Sequence, residues 1–260
     1  FRATNKPSQI IKLLPDQPYA VTFYKLENPV AAWKGFESSV SAQLDTLSAM
    51  MFSSILKSAL TPYGIEDPEK FLSNVESEMA TLRLTQASER SVLIAKVRNE
   101  AALRELLLNR SRRELKRSLV GEIEVIEIPS ETIAVSFLQD NILIGPPEDV
   151  RTFVQSAIDT QGVGNGGSFD AQKHFQPLSD LACIVTYAKD VERILTFART
   201  ISRASGSSAT LSNSTDLRQK IEQLPYATTE TIVTDQGFER RTRSALGQFS
   251  SLAPLLLPDQ

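Results

Sequence analysis

The segment 131–158 constrains the fold of this chain more than any other stretch of the sequence. Residues 132–138 alternate in a way that predicts a strand with one buried face. The polar residues 139–141 allow the chain to reverse, and residues 142–144 form a second apolar strand. Two prolines, at 146 and 147, end that strand, and apolar residues follow them at helical spacing. The segment therefore predicts a strand, a turn, a second strand and a helix.

A step from an apolar strand to a capped helix occurs at three other places in the chain. Each of these strands ends within a few residues of an Asn or Asp, which are favoured N-cap residues. The strands and their caps are 19–24 with Asn28, 91–97 with Asn99, and 183–187 with Asp190. Short hairpins join other strands. We therefore predict an α+β fold, with mainly antiparallel sheet built from strand–helix and hairpin units and with helices on one face.

The longest helical pattern runs from Val30 to about Leu60 and predicts one long amphipathic helix near the N-terminus. Its apolar stripe steps by three or four residues through Trp33, Phe36, Val40, Leu44, Leu47, Met51 and Ile55. The second half widens the apolar arc with Met50, Phe52, Leu56 and Leu60. Such a helix is either buried between the sheet and another helix, or it contacts a partner or an apolar ligand. The candidate contact residues on it are Trp33, Met50, Phe52 and Leu56.

The glycine-rich stretch that begins at residue 159 predicts a linker or lobe boundary. On this interpretation residues 1–158 form an N-terminal α+β lobe, and residues 159–176 form the linker. Residues 177–260 then form a C-terminal α+β lobe. The alternative is one continuous domain, because 260 residues suffice for one large domain or two small ones.

The charge distribution gives no reason to expect a nucleic-acid partner. The chain carries 28 Lys and Arg against 31 Asp and Glu, a net charge of -3. A basic stretch at 110–117 is interpreted as one face of a helix that runs from Glu100 to about Leu119, either solvated or holding phosphates, and the solvated face is favoured. In the C-terminal hairpin, Arg241 and Arg243 fall on one strand face and Arg240 on the other. These arginines either protect an edge strand from unwanted pairing or form a docking surface.

The sequence offers no convincing catalytic, cofactor-binding or metal site. It holds one histidine, His174, and one cysteine, Cys183, which together cannot form a structural zinc site from nitrogen and sulfur ligands. Cys183 lies in an apolar strand, which predicts a buried, inert thiol. The G-x-G-x-x-G match at 162–167 lacks the preceding strand and following helix of a nucleotide site. We therefore predict a protein that is not an enzyme and uses no cofactor or metal.

No apolar run approaches the roughly 20 residues needed to cross a bilayer as a helix. The chain begins with Phe1 and not with Met, so we expect a processed or trimmed product. A signal peptide or an anchor could have preceded it.

Three phrases carry a resemblance: LLPDQPYAVTFYKL, FLQDNILIGPPEDVRTFV and TIVTDQGFERRTRSALGQFSSL. They resemble uncharacterised bacterial envelope proteins of the domain-of-unknown-function type, which occur in acidobacteria and, more distantly, in cyanobacteria. The resemblance covers most of the chain, but its motifs are structural and bring no catalytic residue. It implies an N-terminal signal or anchor, an extracytoplasmic α+β body, and a location in the periplasm or cell envelope.

These observations favour a non-enzymatic extracytoplasmic binding or scaffold protein. We expect it to be an accessory subunit of a membrane-associated complex, with a protein partner and with a membrane contact only through an anchor. The first alternative is a carrier of lipid or another apolar ligand, held in a cleft beside the long helix. The second alternative is a hydrolase that uses carboxylates and arginines.

Overall fold

The computed structural model describes residues 3, 9–15, 17–88, 90–109, 114–162, 179, 181–191, 194–195, 219–221, 223–234, 237–245 and 247. Within these residues ten strands form one sheet in which every neighbouring pair is antiparallel. The strands are β1 (Ala20–Lys25), β2 (Val75–Arg83), β3 (Val92–Val97), β4 (Lys116–Val120), β5 (Ile123–Ile128), β6 (Ile133–Leu138), β7 (Asn141–Gly145), β8 (Ala182–Ala188), β9 (Ala227–Thr234) and β10 (Gly237–Arg243). Their order across the sheet is β10-β9-β8-β1-β2-β3-β7-β6-β5-β4. The predicted α+β class with mainly antiparallel sheet is confirmed.

The described α-helices are α1 (Pro29–Ser41), α2 (Thr46–Ser58), α3 (Pro68–Ser73), α4 (Glu100–Leu108) and α5 (Pro147–Gly162). Short 3₁₀ helices lie at Ile10–Leu13, Thr61–Tyr63 and Pro129–Glu131. Two of the predicted caps are present, because the Asn28 and Asn99 side chains accept hydrogen bonds from the first turns of α1 and α4. None of the helices described here is both long and apolar enough to cross a membrane.

The segment 131–158 folds as predicted into β6, β7 and α5. Its strands are buried on both faces, and β7 is buried along its whole length. On one face, Ala134 and Leu138 join a core with Phe153 of α5. On the other, Ile133 joins a core with Leu103 of α4. The prediction of helices on one face is therefore wrong, because a sheet that is apolar on both sides needs a cover on each.

The single long helix predicted from Val30 to about Leu60 is also wrong. The chain forms two helices, α1 and α2, and the break is set by Asp45. One carboxylate oxygen of Asp45 accepts from the backbone N–H groups of Leu47 and Ser48 at 3.0 and 3.1 Å. The Ser48 hydroxyl donates to the other oxygen at 2.6 Å. This cap satisfies N–H groups that begin a new helix, so a helix starts at Thr46 instead of continuing.

The basic stretch predicted as a helix face belongs in part to strand β4. Lys116 and Arg117 pair with Glu127 and Ile126 of β5, while residues 110–113 lie outside the described part of the chain. The helical interpretation failed because leucines at 115 and 119 have helical spacing. Gly121, at φ +59°, lets the chain turn directly into β5.

Strands from both predicted lobes share this sheet. β1 pairs with β2 on one side and with β8 on the other, so strands from before and after the predicted linker are neighbours. Most of the predicted linker, residues 163–176, lies outside the described residues.

Candidate functional site

A cavity of about 520 Å³ lies between the sheet and the pair of helices α1 and α2. Helix α3 and the turn after α2 close its sides. Its lining comes from widely separated parts of the chain: Tyr24, Leu26, Pro29, Ala32, Trp33, Phe36, Leu56, Ala59, Leu60, Tyr63, Phe71, Leu72, Met79, Thr81, Leu93, Ile184 and Phe238. The cavity is therefore a product of the tertiary fold and not of any one motif.

The floor of the cavity is set by strand register. Tyr24 of β1 lies opposite Ile184 of β8 on one side and Met79 of β2 on the other. Residues that pair directly across neighbouring strands project from the same face of a sheet. These three side chains therefore form one row beneath the helices, and Leu93 of β3 extends the floor.

The roof is formed by α1 and α2, which pack against each other and bury few of their own side chains. Only Pro29 and Ala32 of α1 and Leu56 of α2 are buried. All three line the cavity. The inner surface of this helix pair thus faces a space instead of filling it with tightly packed side chains.

Three aromatic rings connect the roof to the edge of the sheet. The ring of Phe52 meets that of Phe36 edge to face, with centroids 5.8 Å apart. The Phe36 ring meets that of Phe238 on β10 in the same manner at 5.9 Å. Phe238 lines the cavity and is nevertheless 55% exposed, so it marks the boundary between cavity and solvent.

The cavity is lined without charge. Among the described residues no Asp, Glu, Lys, Arg or His contributes to its wall, and the polar groups belong to Tyr24, Trp33, Tyr63 and Thr81. Burial raises the pKa of Tyr63, and the neighbouring Tyr24 adds to this effect, although a hydrogen bond with Ser91 opposes it. The wall therefore lacks a group that could act as a general acid or base near neutral pH, but it can enclose apolar surface.

The seven residues proposed as partner contacts are distributed over three places. Trp33 and Leu56 line the cavity. Phe52 is not part of the cavity wall, but its ring contacts Phe36, which is. Met50 is exposed on α2 and does not belong to the cavity wall. The three arginines, Arg240, Arg241 and Arg243, are exposed on the edge strand β10.

Sequence reasoning missed the floor of the cavity. Tyr24, Met79, Leu93 and Ile184 belong to strands whose apolar alternation indicated burial but not which helix would cover them. Sequence reasoning also missed Phe238, whose position at the start of the last hairpin strand gave no signal of a contact with α1.

The outer face of α2 carries a row of exposed apolar side chains. Leu47, Met50, Met51 and Ile55 are 68, 67, 59 and 66% exposed. Three of them belong to the predicted long-helix stripe, which faces the cavity in α1 but solvent in α2. Contiguous exposed apolar residues of this kind are typical of contact surfaces.

Potential metal ligands and the single thiol lie within the described part of the chain. No group of three or more His, Cys, Asp or Glu side chains lies close enough there to hold a metal ion. The Cys183 thiol is buried, as predicted. His174 and most of the G-x-G-x-x-G match, residues 163–167, lie outside the described residues.

No protein-family model and no curated protein matches this chain. A solved structure described as "Structure of crystal form I of TP0453" is similar, with a TM-score of 0.44 and 10% sequence identity. The similarity covers 91% of this chain and 78% of that one.

Proposed function

We propose that this protein binds an apolar ligand in the cavity beneath α1 and α2 and acts as a carrier for it. The observation that supports this proposal is the uncharged cavity of about 520 Å³ between the helix pair and the sheet. Its volume falls within the range of roughly 300–1,000 Å³ that is usual for small-molecule sites. Apolar walls with a few hydroxyl groups are typical of such sites.

The composition of the wall favours apolar ligands on energetic grounds. An apolar ligand that leaves water gains about 25 cal/mol for each Å² of apolar surface buried. A charged group drawn to the middle of this wall would lose its hydration without gaining a partner, since the described lining holds no charged side chain. The cavity therefore selects for ligands, or parts of ligands, that are uncharged and apolar.

Binding of an uncharged fluorescent probe, N-phenyl-1-naphthylamine, tests the proposal. Trp33 is the only tryptophan of the chain and lines the cavity, so energy transfer from it reports a probe bound there. We expect saturable binding to the purified protein. Native mass spectrometry of protein that has not been delipidated should also show a bound apolar species.

A matched pair of substitutions locates the probe. Ala32→Phe places a ring in the cavity wall and should weaken binding about tenfold or more, whereas Ala31→Phe lies next to it on the exposed side of α1. Equal effects of both variants, or non-saturable binding to the wild type, would refute the proposal. Thermal unfolding of both variants checks that each is folded.

The exposed apolar row on α2 favours a second candidate function, the binding of a protein partner. This corresponds to the accessory subunit expected from the sequence, and the envelope location and anchor belong to the same hypothesis. Met50→Lys together with Leu47→Lys should abolish co-purification of such a partner and leave the probe affinity unchanged. A native protein that always runs alone as a monomer would contradict this candidate. The hydrolase alternative gains no support from the cavity, since no carboxylate lines it within the described residues.

A further inference from the structure

Arg240 lies on the edge strand β10, in the same cross-strand row as residues of the cavity floor. In β10 it lies opposite Thr231 of β9, and Thr231 lies opposite Ile184 of β8. Ile184 in turn lies opposite Tyr24, and Tyr24 opposite Met79. Directly paired residues share a face of the sheet. Arg240 is therefore the outermost member of the row that forms the cavity floor.

Arg240 is exposed and lies on the same face of the sheet as the cavity floor. Phe238, two residues earlier on the same face of β10, contributes to the cavity wall. Only the short side chain of Thr231 lies between Arg240 and Ile184, across two strand spacings of about 4.8 Å each. A guanidinium on this face can therefore approach the entrance without entering the apolar space.

The three arginines of the hairpin differ in their electrostatic surroundings. Arg241, on the opposite face, donates to Glu239 Oε1 at 2.7 Å. Glu239 raises the pKa of Arg241, first by that hydrogen bond and then by its charge. No acidic side chain forms an ion pair with Arg240 within the part of the chain that the structure describes. Its positive charge is available to an external anion.

From this arrangement we infer that the ligand is amphipathic, with an apolar chain in the cavity and an anionic head group held by Arg240 at the entrance. The inference rests on the proposed function and specifies its ligand class. A carboxylate or a phosphate head would satisfy the same guanidinium, because both accept two parallel hydrogen bonds from it. The uncharged lining excludes the anionic head group from the cavity. The Arg240 guanidinium at the cavity edge can bind the head group while it remains in contact with water.

The test compares an acid with its neutral ester. The probes are cis-parinaric acid and methyl cis-parinarate, each followed by energy transfer from Trp33. We expect wild-type protein to bind the acid about threefold more tightly than the ester, as is usual for an exposed ion pair. Salt of about 1 M, at which the Debye length is about 3 Å, should remove most of the preference.

Arg240→Gln should abolish the preference for the acid and leave the affinity for the ester unchanged. Arg241→Gln is the matched control and should retain the preference, because Arg241 lies on the other face of the same strand. Arg240→Lys should retain part of it. Displacement of the acid probe by oleoyl lysophosphatidic acid, compared with oleate and with neutral monoolein, distinguishes a phosphate from a carboxylate head.

Each outcome separates the two proposals. Equal affinity of the wild type for acid and ester, or an equal effect of Arg240→Gln and Arg241→Gln, overturns the anionic head group and leaves the apolar site intact. Failure of both parinaric probes to bind overturns both proposals together. Loss of ester binding in Arg240→Gln would mean that the residue acts on the fold of the edge strand and not on the head group.

Discussion

Phe36 of α1 and Phe238 of β10 meet edge to face, with ring centroids 5.9 Å apart and an interplanar angle of 71°. This contact joins the helix pair to an edge strand that is far away in sequence. Phe238 has more than half of its surface exposed, so the contact holds the rim of the cavity and not its interior.

The first prediction concerns this aromatic contact. Phe238→Ala should destabilise the protein by about 1 kcal/mol, since aromatic pairs contribute roughly 0.5–1.5 kcal/mol beyond their buried area. It should also speed the release of N-phenyl-1-naphthylamine, because the variant removes part of the cavity rim. Denaturant unfolding and stopped-flow release measure the two effects. A double-mutant cycle with Phe36→Ala that shows no coupling energy would contradict the prediction.

The second prediction concerns Gly64, which ends the 3₁₀ helix after α2 and packs close to Glu131 and Ile133. Its φ of +68° lies in the left-handed region, and an added Cβ would come within 2.6 Å of Ile133 Cδ1 and into contact with Glu131. We expect Gly64→Ala to cost at least about 1 kcal/mol through backbone strain and crowding. Gly247→Ala, at φ +56° with nothing within 4 Å of the added Cβ, is the control for the same backbone strain without crowding. Chemical denaturation of the two variants should show the larger loss for Gly64→Ala.

The sequence predicted the segment 131–158 well because its signals are local. Alternation, the polar turn and two prolines specify β6, β7 and α5 without reference to the rest of the chain. The break between α1 and α2 was missed because the apolar spacing through Val40, Leu44 and Leu47 continues in helical phase across it. A cap signal was present, since Asp45 is followed three residues later by Ser48. The continuous apolar spacing nevertheless favoured the interpretation as a single helix.

The cavity could not be predicted in the same way. Its floor depends on the registers of β1, β2 and β8. Tyr24 and Ile184, which pair across β1 and β8, are 160 residues apart in the sequence. Trp33 and Leu56 line the cavity, but the sequence singled them out only as apolar contact candidates on one long helix. Whether such a side faces a core, a cavity or solvent is decided by the position of the helix, as the exposed row on α2 shows.

The third prediction follows from the cap at Asp45. Asp45→Ala removes the acceptor for two backbone N–H groups and should destabilise the first turn of α2. The Ser48 hydroxyl and backbone lower the pKa of Asp45 in the folded protein. This carboxylate therefore contributes stability above its unfolded pKa of about 3.9 and loses that contribution as the pH falls through the folded pKa. Hydrogen exchange at residues 46–49 should be faster in the variant at pH 7.

The fourth prediction concerns Tyr226, whose hydroxyl donates to the backbone oxygen of Pro18 at 2.7 Å. Burial raises the pKa of Tyr226 well above its usual range. The unfolded tyrosine ionises near pH 10, so its contribution to stability is complete below that pH and is lost as the pH rises toward the folded pKa. Tyr226→Phe should cost about 1 kcal/mol at pH 7 through the lost hydrogen bond.

The same substitution should cost less as the pH increases above about 10, because the variant has no hydroxyl to ionise when it unfolds. Tyr187 provides a second buried hydroxyl, whose pKa is raised by burial and by the charge of Glu230, so some alkaline loss of stability should persist in Tyr226→Phe. Urea unfolding of the wild type and the variant between pH 7 and roughly pH 11 measures both trends. A stability difference that stays constant over this range would show that the Tyr226 hydroxyl titrates no differently in the folded and the unfolded chain.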